Sequence, residues 1–386
     1  MTPGARIAAA IAVLDDIRDG AAAEKALTTW ARGSRFAGSK DRAAVRDHVF
    51  DVLRAKRSLG DGSGRSLMQR LALREGWPLD QLFSGEGHAP EPVTDEEATA
   101  LAAPLALTEA ARCDLPDWLW PLWQDSLGDQ AEAAAIAQQG RADVFLRVNG
   151  RKGAVDEAIA LLAQDGVIAV RNDHVPGCLR VLENPRRVKT ATAYLNGVVE
   201  LQDASSQFAV TAVPVPAGGR ILDYCAGGGG KALAFADQHE GPVFAHDIAP
   251  VRMRDLPVRA ARAGVDITVL ATASLRTTAP FDVVFCDAPC SGSGTWRRTP
   301  DAKWQLDQTR LAALMDAQDS VLAEASTLVG PGGVLAYATC SVLASENAGA
   351  VARFIATHRQ WQQIEAHQLV PGPDGDGFFL SLLRRT

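Results

Sequence analysis

The sequence predicts a protein of class α/β in which three regions of different pattern follow one another. From residue 220 onward, strands that are almost entirely apolar alternate with helical segments, which indicates a parallel sheet covered on both faces. A strand–helix–strand–strand pattern precedes it and predicts a small α+β module. The amino-terminal part shows helical spacing throughout. We predict domain boundaries that give residues 1–128, 129–204 and 205–386.

The amino-terminal region is predicted to be helical because its apolar residues recur every three or four positions, as at Ile7 and Ile11 and at Val45 and Val49. It is also basic. Residues 1–75 contain 14 Lys and Arg against 9 Asp and Glu, a net charge of +5, although the whole chain has a net charge of −7. A basic helical segment on an acidic body fits a nucleic-acid-binding appendage or a solvated helix face, and charge alone favours neither.

The middle region is predicted to begin with a strand at Val144–Val148 and a helix at Val155–Gln164. The segments "GVIAV", "CLRVL" and "GVVELQD" then have the apolar, β-branched character of strands. This region lacks the aromatic residues typical of sheets that bind single-stranded RNA. The sequence therefore gives it no RNA-binding role.

The carboxyl-terminal region alternates strands with helices. We predict strands in "RILDYCA", "PVFAHDI", "DITVLAT", "FDVVFCDA" and "GGVLAYATC", and a closing strand in "GFFLSLLRR". Helices are expected from Lys231, from Arg252, around Leu306–Leu328 and around Ser345–His358, with a short loop after "DITVLAT".

Ligands of such sheets bind at the carboxyl ends of the strands. Five residues that carry chemistry fall at these ends: Cys225, Asp247, Asp287, Cys290 and Cys340. Because the ends of parallel strands share one edge of the sheet, we expect these residues to lie close together. That edge is the predicted site.

The glycine-rich loop "DYCAGGGGKA" joins the first of these strands to a helix, an arrangement that favours a polar or anionic ligand. A nucleoside triphosphatase loop would require Gly-x4-Gly-Lys-Ser/Thr. Here Cys225 occupies the first glycine position and Ala232 follows Lys231. That class of enzyme is excluded.

The same loop satisfies the dinucleotide pattern Gly-x-Gly-x-x-Gly/Ala through Gly227, Gly229 and Ala232. Asp247 lies twenty residues beyond Gly227 and supplies an acid for ribose hydroxyls. An enzyme that uses a nicotinamide cofactor and one that uses S-adenosylmethionine (SAM) are both consistent with this loop.

The six cysteines do not form a metal pattern. Structural zinc sites bring their ligands in two closely spaced pairs, whereas only Cys286 and Cys290 are close in sequence. We predict no metal site. Cys286 and Cys178 are expected to be buried, inert thiols.

Cys290 and Cys340 differ because each follows a strand at the ligand-binding edge. A cytosine substrate would give both thiols a role, with the second thiol as one candidate for a base. A thiolate that adds to C6 gives C5 the electron density to attack a methyl donor, and a base must afterwards remove the C5 proton. Asp287 could hold the base near N3 and stabilise the charge that develops there.

Several segments together resemble the Sun/Fmu (RsmB/NOL) family of SAM-dependent RNA cytosine-C5 methyltransferases. They are "DYCAGGGGK", "FDVVFCDAPCSGSGTWRRTPDAKW", "YATCS" followed by "EN", "DGFF", "LQDASSQ" and "LRVNGRKG". The resemblance covers essentially the whole chain. It implies a Rossmann-like class I SAM methyltransferase domain, an RRM-like α+β module and a NusB-like RNA-binding domain at the amino terminus.

The resemblance also implies roles for individual residues. Cys340 would be the nucleophile, Cys290 would assist product release, and Asp287 would lie between cofactor and base. Asp247 would bind the ribose of SAM, and Lys231 would contact the substrate or cap the loop. The loop residues expected to hold SAM are Cys225, Ala226, Gly227, Gly228, Gly229, Gly230 and Lys231.

Two departures from the family pattern affect the cofactor site. Gly227 and Gly228 replace the usual Ala-Pro pair, so the loop should cost more entropy to order. Ala271 and Thr272 stand where the family places an aspartate against the adenine, and the Thr272 hydroxyl is a weaker substitute. Both changes predict modest SAM affinity.

Two other functions remain open on sequence alone. A dehydrogenase that uses NAD(P) would leave Cys290, Cys340 and "RRTPDAKW" without a role. A non-catalytic RNA-binding factor would explain the altered cofactor loop but not both thiols. We expect a cytoplasmic monomer without a membrane span or signal peptide. The expected partner is RNA, with ribosomal RNA favoured over transfer RNA by the family resemblance.

Overall fold

The structure is a computed structural model, and it describes residues 1–385. These residues form two compact units. The first contains Met1–Gln124, Gly128–Arg141 and Trp296–Gln305, and the second contains Asp125–Leu127, Ala142–Thr295 and the chain from Leu306 onward. The first unit is therefore assembled from distant parts of the sequence. The boundaries of the three predicted domains stay a prediction.

The amino-terminal region is helical, as its apolar spacing predicts. Its helices are α1 Pro3–Arg18, α2 Ala23–Gly33, α3 Ser39–Arg54, α4 Gly64–Arg74, α5 Leu79–Leu82, α6 Asp95–Ala102, α7 Glu109–Arg112, α8 Trp120–Leu127 and α9 Ala131–Ala137. The hydroxyl of Thr2 caps α1 by accepting from the backbone N–H of Ala5. The buried faces of α1, α3 and α4 share one apolar core that includes Ile7, Val45 and Leu71.

The middle region is a four-stranded antiparallel sheet with short helices. Its elements are β1 Val144–Val148, α10 Val155–Gln164, β2 Ile168–Arg171, β3 Cys178–Glu183, a 3-10 helix Pro185–Thr190, α11 Thr192–Leu195 and β4 Val199–Leu201. The strand order is β2-β3-β1-β4. Helix α10 buries Ala158 and Leu162 in the same core as Leu146 of β1 and Leu179 of β3. The predicted strands and helix are confirmed.

The carboxyl-terminal region contains a seven-stranded sheet. Its elements are α12 Ala204–Thr211, β5 Ile221–Asp223, α13 Gly230–Gln238, β6 Val243–Ala245, a 3-10 helix Pro250–Met253, α14 Leu256–Ala263, β7 Ile267–Val269, a 3-10 helix Thr272–Ser274, α15 Leu275–Thr278, β8 Phe281–Asp287, α16 Pro300–Gln305, α17 Gln308–Ser326, β9 Val329–Thr339, α18 Ala348–Thr357, β10 Trp361–Leu369 and β11 Phe378–Arg385.

The strand order is β10-β11-β9-β8-β5-β6-β7. Strands β5 to β9 run parallel, whereas β11 is antiparallel to β9 and to β10. Alternate residues of β8 point to opposite faces. Val283 and Phe285 pack in the core with α13 and α14, whereas Val284 and Cys286 pack in the core with α17 and α18. The predicted doubly covered sheet is confirmed.

The motif "LRVNGRKG" joins the antiparallel sheet to the helices beside it. Arg147, buried in β1, pairs with Asp237 at the end of α13 at 2.6 Å. The side-chain amide of Asn149 donates to the carbonyl oxygens of Gly197 and Ala263. The guanidinium of Arg151 donates to two further carbonyl oxygens near the end of α13. The motif therefore has a structural role in this chain.

The segment Trp296–Gln305 belongs to the helical unit, although it lies within the carboxyl-terminal part of the sequence. The ring of Trp296 stacks on Trp123 with a centroid distance of 5.9 Å. The indole N–H of Trp304 donates to the carbonyl oxygen of Leu53 at 2.7 Å. The side chain of Arg54, buried at the end of α3, donates to the carbonyl oxygen of Arg297. Part of "RRTPDAKW" is thus a component of the helical core.

The structure differs from the sequence prediction at three places. Strand β10 was not predicted, because most of its side chains are polar and exposed and its sequence contains no apolar run. The helix expected from Arg252 begins instead at Leu256, after a 3-10 turn. The loop expected after "DITVLAT" contains a 3-10 turn and the short helix α15. None of the helices in residues 1–385 is both long and apolar enough to cross a membrane.

Candidate active site

A cavity of about 1020 Å³ lies at the carboxyl edge of the parallel strands. Asp223 ends β5, Asp287 ends β8, and Cys340 follows the last residue of β9. The five residues expected to converge all line this cavity: Cys225, Asp247, Asp287, Cys290 and Cys340. The sheet topology therefore brings together the thiols of Cys290 and Cys340, the carboxylate of Asp287 and the glycine loop.

The two thiols of the predicted pair are in direct contact. The Sγ atoms of Cys290 and Cys340 lie 3.5 Å apart. The pKa of Cys290 is raised well above its ordinary value, first by the hydrogen bond to Cys340 and then by burial. The pair therefore favours keeping the proton on Cys290.

A buried carboxylate joins the two turns that carry these thiols. Glu346 accepts hydrogen bonds from the backbone N–H and the hydroxyl of Ser291, at 2.8 and 2.5 Å. It also accepts from the hydroxyl of Ser341 at 2.5 Å and from the side-chain amide of Gln318 at 3.0 Å. Glu346 is fully buried. Its role was not predicted from the sequence, although Glu346 belongs to the "EN" pair that follows "YATCS".

Lys231 and Asp287 form an ion pair inside the cavity. Lys231 Nζ donates to Asp287 Oδ2 at 2.6 Å. Burial alone would lower the pKa of Lys231, but the charges of Asp287 and Asp223 and the hydrogen bond to Asp287 raise it overall. Lys231 is consequently cationic at neutral pH. The pair offers a positive donor and a carboxylate next to the thiols.

The glycine loop needs glycine at two positions for different reasons. Gly227 has φ = +52°, and its N–H donates to Asp247 Oδ2 at 2.9 Å. Gly229 has φ = +78°, and a Cβ there would lie 2.3 Å from the side chain of Leu256. The carboxylate of Asp247 also accepts from Ala249 N and pairs with Arg252 at 3.2 Å. The loop and the acid of the second strand form one connected unit.

The loop has a further support at Gly228, where the family pattern has proline. A guanidinium N–H of Arg259 donates to the carbonyl oxygen of Gly228. The same side chain lies 3.5 Å from the carboxylate of Glu200, a residue buried at the end of the antiparallel sheet. Glu200 also pairs with Arg262 at 2.5 Å. Side chains from outside the loop thus constrain the segment that lacks proline.

Asp223 is a site residue that was not predicted from the sequence. It is buried and lines the cavity, and its Oδ2 accepts from Ala232 N at 3.0 Å. Its Oδ1 has no hydrogen-bond partner in the part of the chain that the structure describes. Burial raises the pKa of Asp223 to about 7. A cationic amine would satisfy this oxygen, and Asp247 offers a carboxylate for hydroxyls, so the residues fit SAM.

Two predicted cofactor residues do not line the cavity. Of the loop, Cys225, Ala226, Gly227, Gly228, Gly230 and Lys231 line it, whereas Gly229 does not. Thr272 is also absent from the lining, and its hydroxyl is hydrogen-bonded to His246 Nε2 at 2.9 Å. The contact of Thr272 with a cofactor stays a prediction. Across residues 1–385, no cluster of ligating side chains could hold a metal ion.

Comparison with known proteins identifies the family. The family model described as 16S rRNA methyltransferase RsmB/F matches residues 211–384, and a model of the ferredoxin-like domain of RsmF/B-like methyltransferases matches residues 115–189. The ribosomal RNA small subunit methyltransferase B of Citrobacter koseri is 34% identical over 298 residues, covering 74% of this chain and 69% of that protein. The chain belongs to the RsmB/F family. The cofactor of this family is SAM, which the site residues fit.

Other RsmB/F relatives agree. The ribosomal RNA small subunit methyltransferase B of Pasteurella multocida is 30% identical over 293 residues, which cover 70% of this chain. The match spans 65% of the length of that relative. The family resemblance stated from the sequence is confirmed, and the dehydrogenase interpretation is wrong.

Solved structures show the same fold. The crystal structure of PH0851 matches with a TM-score of 0.77 at 22% identity and covers 100% of this chain and 99% of that chain. The structure of NSun6 from Pyrococcus horikoshii with SFG matches with a TM-score of 0.62 at 17% identity, covering 70% of this chain and 98% of that chain. The Rossmann-like methyltransferase fold of this RsmB/F family member is thereby confirmed.

Proposed function

We propose that this chain transfers a methyl group from SAM to C5 of a cytosine in RNA. The favoured substrate is small-subunit ribosomal RNA, because the relatives from Citrobacter koseri and Pasteurella multocida are named for its methylation. The observation that carries the cytosine-C5 chemistry is the contact of 3.5 Å between the thiols of Cys290 and Cys340 in the cavity. A methyl transfer to nitrogen or oxygen would need no thiol.

The reaction begins when the Cys340 thiolate adds to C6 of the cytosine. The C5=C6 bond opens as the C6–S bond forms, and C5 becomes a carbon nucleophile. The charge that develops on the ring lies near the Lys231–Asp287 pair, whose fixed donor and acceptor stabilise it. When bound, SAM supplies the methyl group that C5 accepts.

The product is released when the proton on C5 is removed. Cys290 holds its own proton before the reaction because the contact with Cys340 and burial raise its pKa. Once the sulfur of Cys340 is bonded to C6 it is no longer anionic, so Cys290 ionises more easily and can act as a base. Removal of the C5 proton re-forms the C5=C6 bond and breaks the C6–S bond, which expels the Cys340 thiolate.

The target base must reach the cavity unstacked. C5 and C6 of a stacked, paired cytosine are inaccessible to a thiol at the bottom of a cavity. We therefore expect the cytosine to be single-stranded or flipped out. Chemical probing during turnover would contradict this if the modified base stayed paired and stacked.

The test is covalent trapping with RNA that contains 5-fluorocytidine, because fluorine at C5 cannot leave as a proton. Wild-type protein, SAM and the substituted RNA are incubated and examined for an adduct that survives denaturation. Cys340→Ala should form no adduct, whereas Cys290→Ala should retain it. The control Cys178→Ala changes a buried thiol away from the cavity and should behave as wild type.

Three results would contradict the proposal. An adduct that persists in Cys340→Ala would assign the nucleophile to another residue. Absence of an adduct with wild type, on both ribosomal and transfer RNA and without SAM binding, would favour a non-catalytic RNA-binding factor. SAM binding with no adduct would direct the search to a different target atom.

A further inference from the structure

The loop between α2 and α3 presents an aromatic ring to solvent. Phe36 is 75% exposed, whereas its neighbour Ala37 is only 3% exposed. Backbone hydrogen bonds hold the loop, from Ser34 N to Trp30 O and from Ala37 N to Ser34 O. The guanidinium of Arg42 donates to the carbonyl oxygen of Ala37 at 3.0 Å. Because Ala37 is anchored in the protein, Phe36 is directed outward by a fixed backbone.

The charge around this ring is positive and uncompensated. From Lys25 to Lys40 the sequence contains four basic residues and no acidic residue. The basic residues nearest to Phe36 in the sequence, Arg32, Arg35 and Lys40, are exposed, and within residues 1–385 none of them forms an ion pair. The acids that flank this stretch are already paired. They are Glu24, which binds Arg46, and Asp41, which binds Arg6 and the chain's amino group.

We propose that Arg32, Arg35, Phe36 and Lys40, hereafter the Phe36 surface, bind single-stranded RNA. One base stacks on the ring of Phe36, and the three basic side chains contact the neighbouring phosphates. The inference rests on the proposed function, in which the substrate is RNA, and adds the place on the helical unit where RNA is held. Aromatic rings between basic side chains are the general means by which proteins hold unpaired strands.

Three features favour RNA over a protein partner for this surface. The apolar part is one ring and not a patch, so it offers little area to a protein interface. The surrounding charge has one sign, which complements a phosphate backbone. The ring needs no rearrangement before binding, so a stacked base gains its contact without the cost of ordering the loop.

The size of the expected effect follows from stacking. Removal of an aromatic platform weakens binding by roughly 5- to 150-fold for each stacked base. Each lost phosphate contact to a single strand reduces the slope of log affinity against log salt by about 0.7. The two contributions can therefore be measured separately on the same protein.

The experiment uses the full chain and a short fluorescein-labelled single-stranded RNA of mixed sequence, with anisotropy measured without SAM. Phe36→Ala should weaken binding by roughly 5- to 150-fold with an unchanged salt slope. Phe36→Trp should bind as wild type. Phe36→Leu keeps an apolar side chain but has no ring face, and should bind as weakly as Phe36→Ala.

Charge and surface controls complete the set. Arg35→Gln and Lys40→Gln should each lower the salt slope by about 0.7. Leu73→Ala removes an apolar side chain that is 47% exposed on α4, and Arg74→Gln removes a charge beside it. Both should bind RNA as wild type.

Three outcomes would overturn the proposal. The first is unchanged RNA affinity in Phe36→Ala. The second is wild-type affinity in Phe36→Leu, which would indicate hydrophobic contact and not stacking. The third is a Phe36-dependent preference for duplex over single-stranded RNA. These results are independent of the adduct test. If the protein methylates RNA but Phe36→Ala leaves its RNA affinity unchanged, only the proposal for the Phe36 surface is refuted. If RNA binding depends on Phe36 but no adduct forms, only the catalytic proposal is refuted.

Discussion

The hydroxyl of Ser341 donates a 2.5 Å hydrogen bond to the buried carboxylate of Glu346. The same carboxylate accepts from the backbone and the hydroxyl of Ser291. One acidic side chain therefore fixes Ser291 and Ser341, the residues that follow Cys290 and Cys340. This link joins two turns that belong to different strands of the sheet, and the contact between Cys290 and Cys340 lies between these turns.

Replacing Glu346 by Gln should separate the thiols of Cys290 and Cys340 without weakening the binding of SAM or RNA. Gln keeps the size of the side chain but loses the charge that three donors from Ser291 and Ser341 share. A hydrogen bond to a charged group contributes about 1.5–3 kcal/mol, so we expect kcat for methyl transfer to fall roughly 10- to 100-fold. The KM for RNA and the Kd for SAM should stay as in wild type.

The measurement is single-turnover methyl transfer together with SAM titration. Glu365→Gln, which changes a half-exposed carboxylate on β10, is the matched control and should be as active as wild type. A parallel loss of SAM affinity in Glu346→Gln would show general damage to the domain and contradict a role in positioning the thiols.

The bond between Arg259 and Gly228 should compensate for the missing proline of the glycine loop. Arg259→Ala removes a donor to the loop carbonyl and should weaken SAM binding about 5- to 10-fold, the value of one ordinary hydrogen bond. Adding Gly228→Pro in that variant should recover part of the loss, because proline restricts the loop before binding.

The same proline should not help the wild-type protein. A Cβ at Gly228 would lie 3.1 Å from a nitrogen of Arg259. A proline at position 228 and the side chain of Arg259 would therefore compete for the same space. Calorimetric SAM titration of the four proteins forms a double-mutant cycle. Arg254→Ala removes an exposed arginine on the same segment and serves as the control. Additive effects in the cycle would refute the compensation.

SAM binding should become stronger as pH rises through about 7, the raised pKa of Asp223. Burial favours the protonated acid in the folded protein. The contribution of Asp223 to the unfolding free energy without ligand therefore falls as pH rises from 3.8 to about 7. A cationic ligand group beside Asp223 favours the ionised acid, so SAM binding below about pH 7 should release a proton.

Calorimetry in buffers of different ionisation enthalpy measures that proton. Asp223→Asn keeps the shape and should lose both the proton release and the pH dependence, with affinity lowered roughly 10- to 100-fold. Asp282→Asn, outside the cavity, is the chemical control. A pH dependence that survives in Asp223→Asn would assign the titration to another group.

The buried amine of Lys303 should destabilise the helical unit at neutral pH. Burial lowers its pKa from 10.5 to about 8, so the folded state binds this proton less tightly than the unfolded chain. Stability from this group therefore rises as pH rises from about 8 to 10.5. The Lys303→Met variant lacks this amine, so it does not have this increase in stability with pH.

The readout is the Tm of Lys303→Met minus that of wild type, followed across this pH range. The difference should fall as pH rises, because only wild type becomes more stable through this group. Lys25→Met, at an exposed position of α2, should show no such trend. A difference in Tm that is flat with pH would show that the Lys303 amine is solvated in the folded protein.

The parts of the fold that could be predicted are those with a strong local pattern. The buried strands β8 and β9 are nearly continuous apolar runs, and the chemistry at their ends followed from sheet topology. Strand β10 could not be found this way. It lies at the edge of the sheet, and the exposed polar residues that suit an edge carry no apolar period.

Site residues could be predicted from the sequence where the side chain has unusual chemistry. They could not be predicted where the role of the residue depends on the residues around it. Cys290 and Cys340 were identifiable because a thiol at a strand end has few structural explanations. Glu346 and Asp223 are ordinary acids in sequence, and only burial gives them their roles. Arg259 acts through a contact with a residue 31 positions away, which no local pattern encodes.

The discontinuous helical unit also has a consequence for biosynthesis. Arg54 donates to the carbonyl oxygen of Arg297, 243 residues later, and Trp123 stacks on a ring at position 296. When the ribosome has made residues 1–141, the helical unit still lacks the strip that completes its core. Residues 142–295 must be made before that strip emerges. The amino-terminal helices are thus translated first, but their unit cannot be the first to complete its folding.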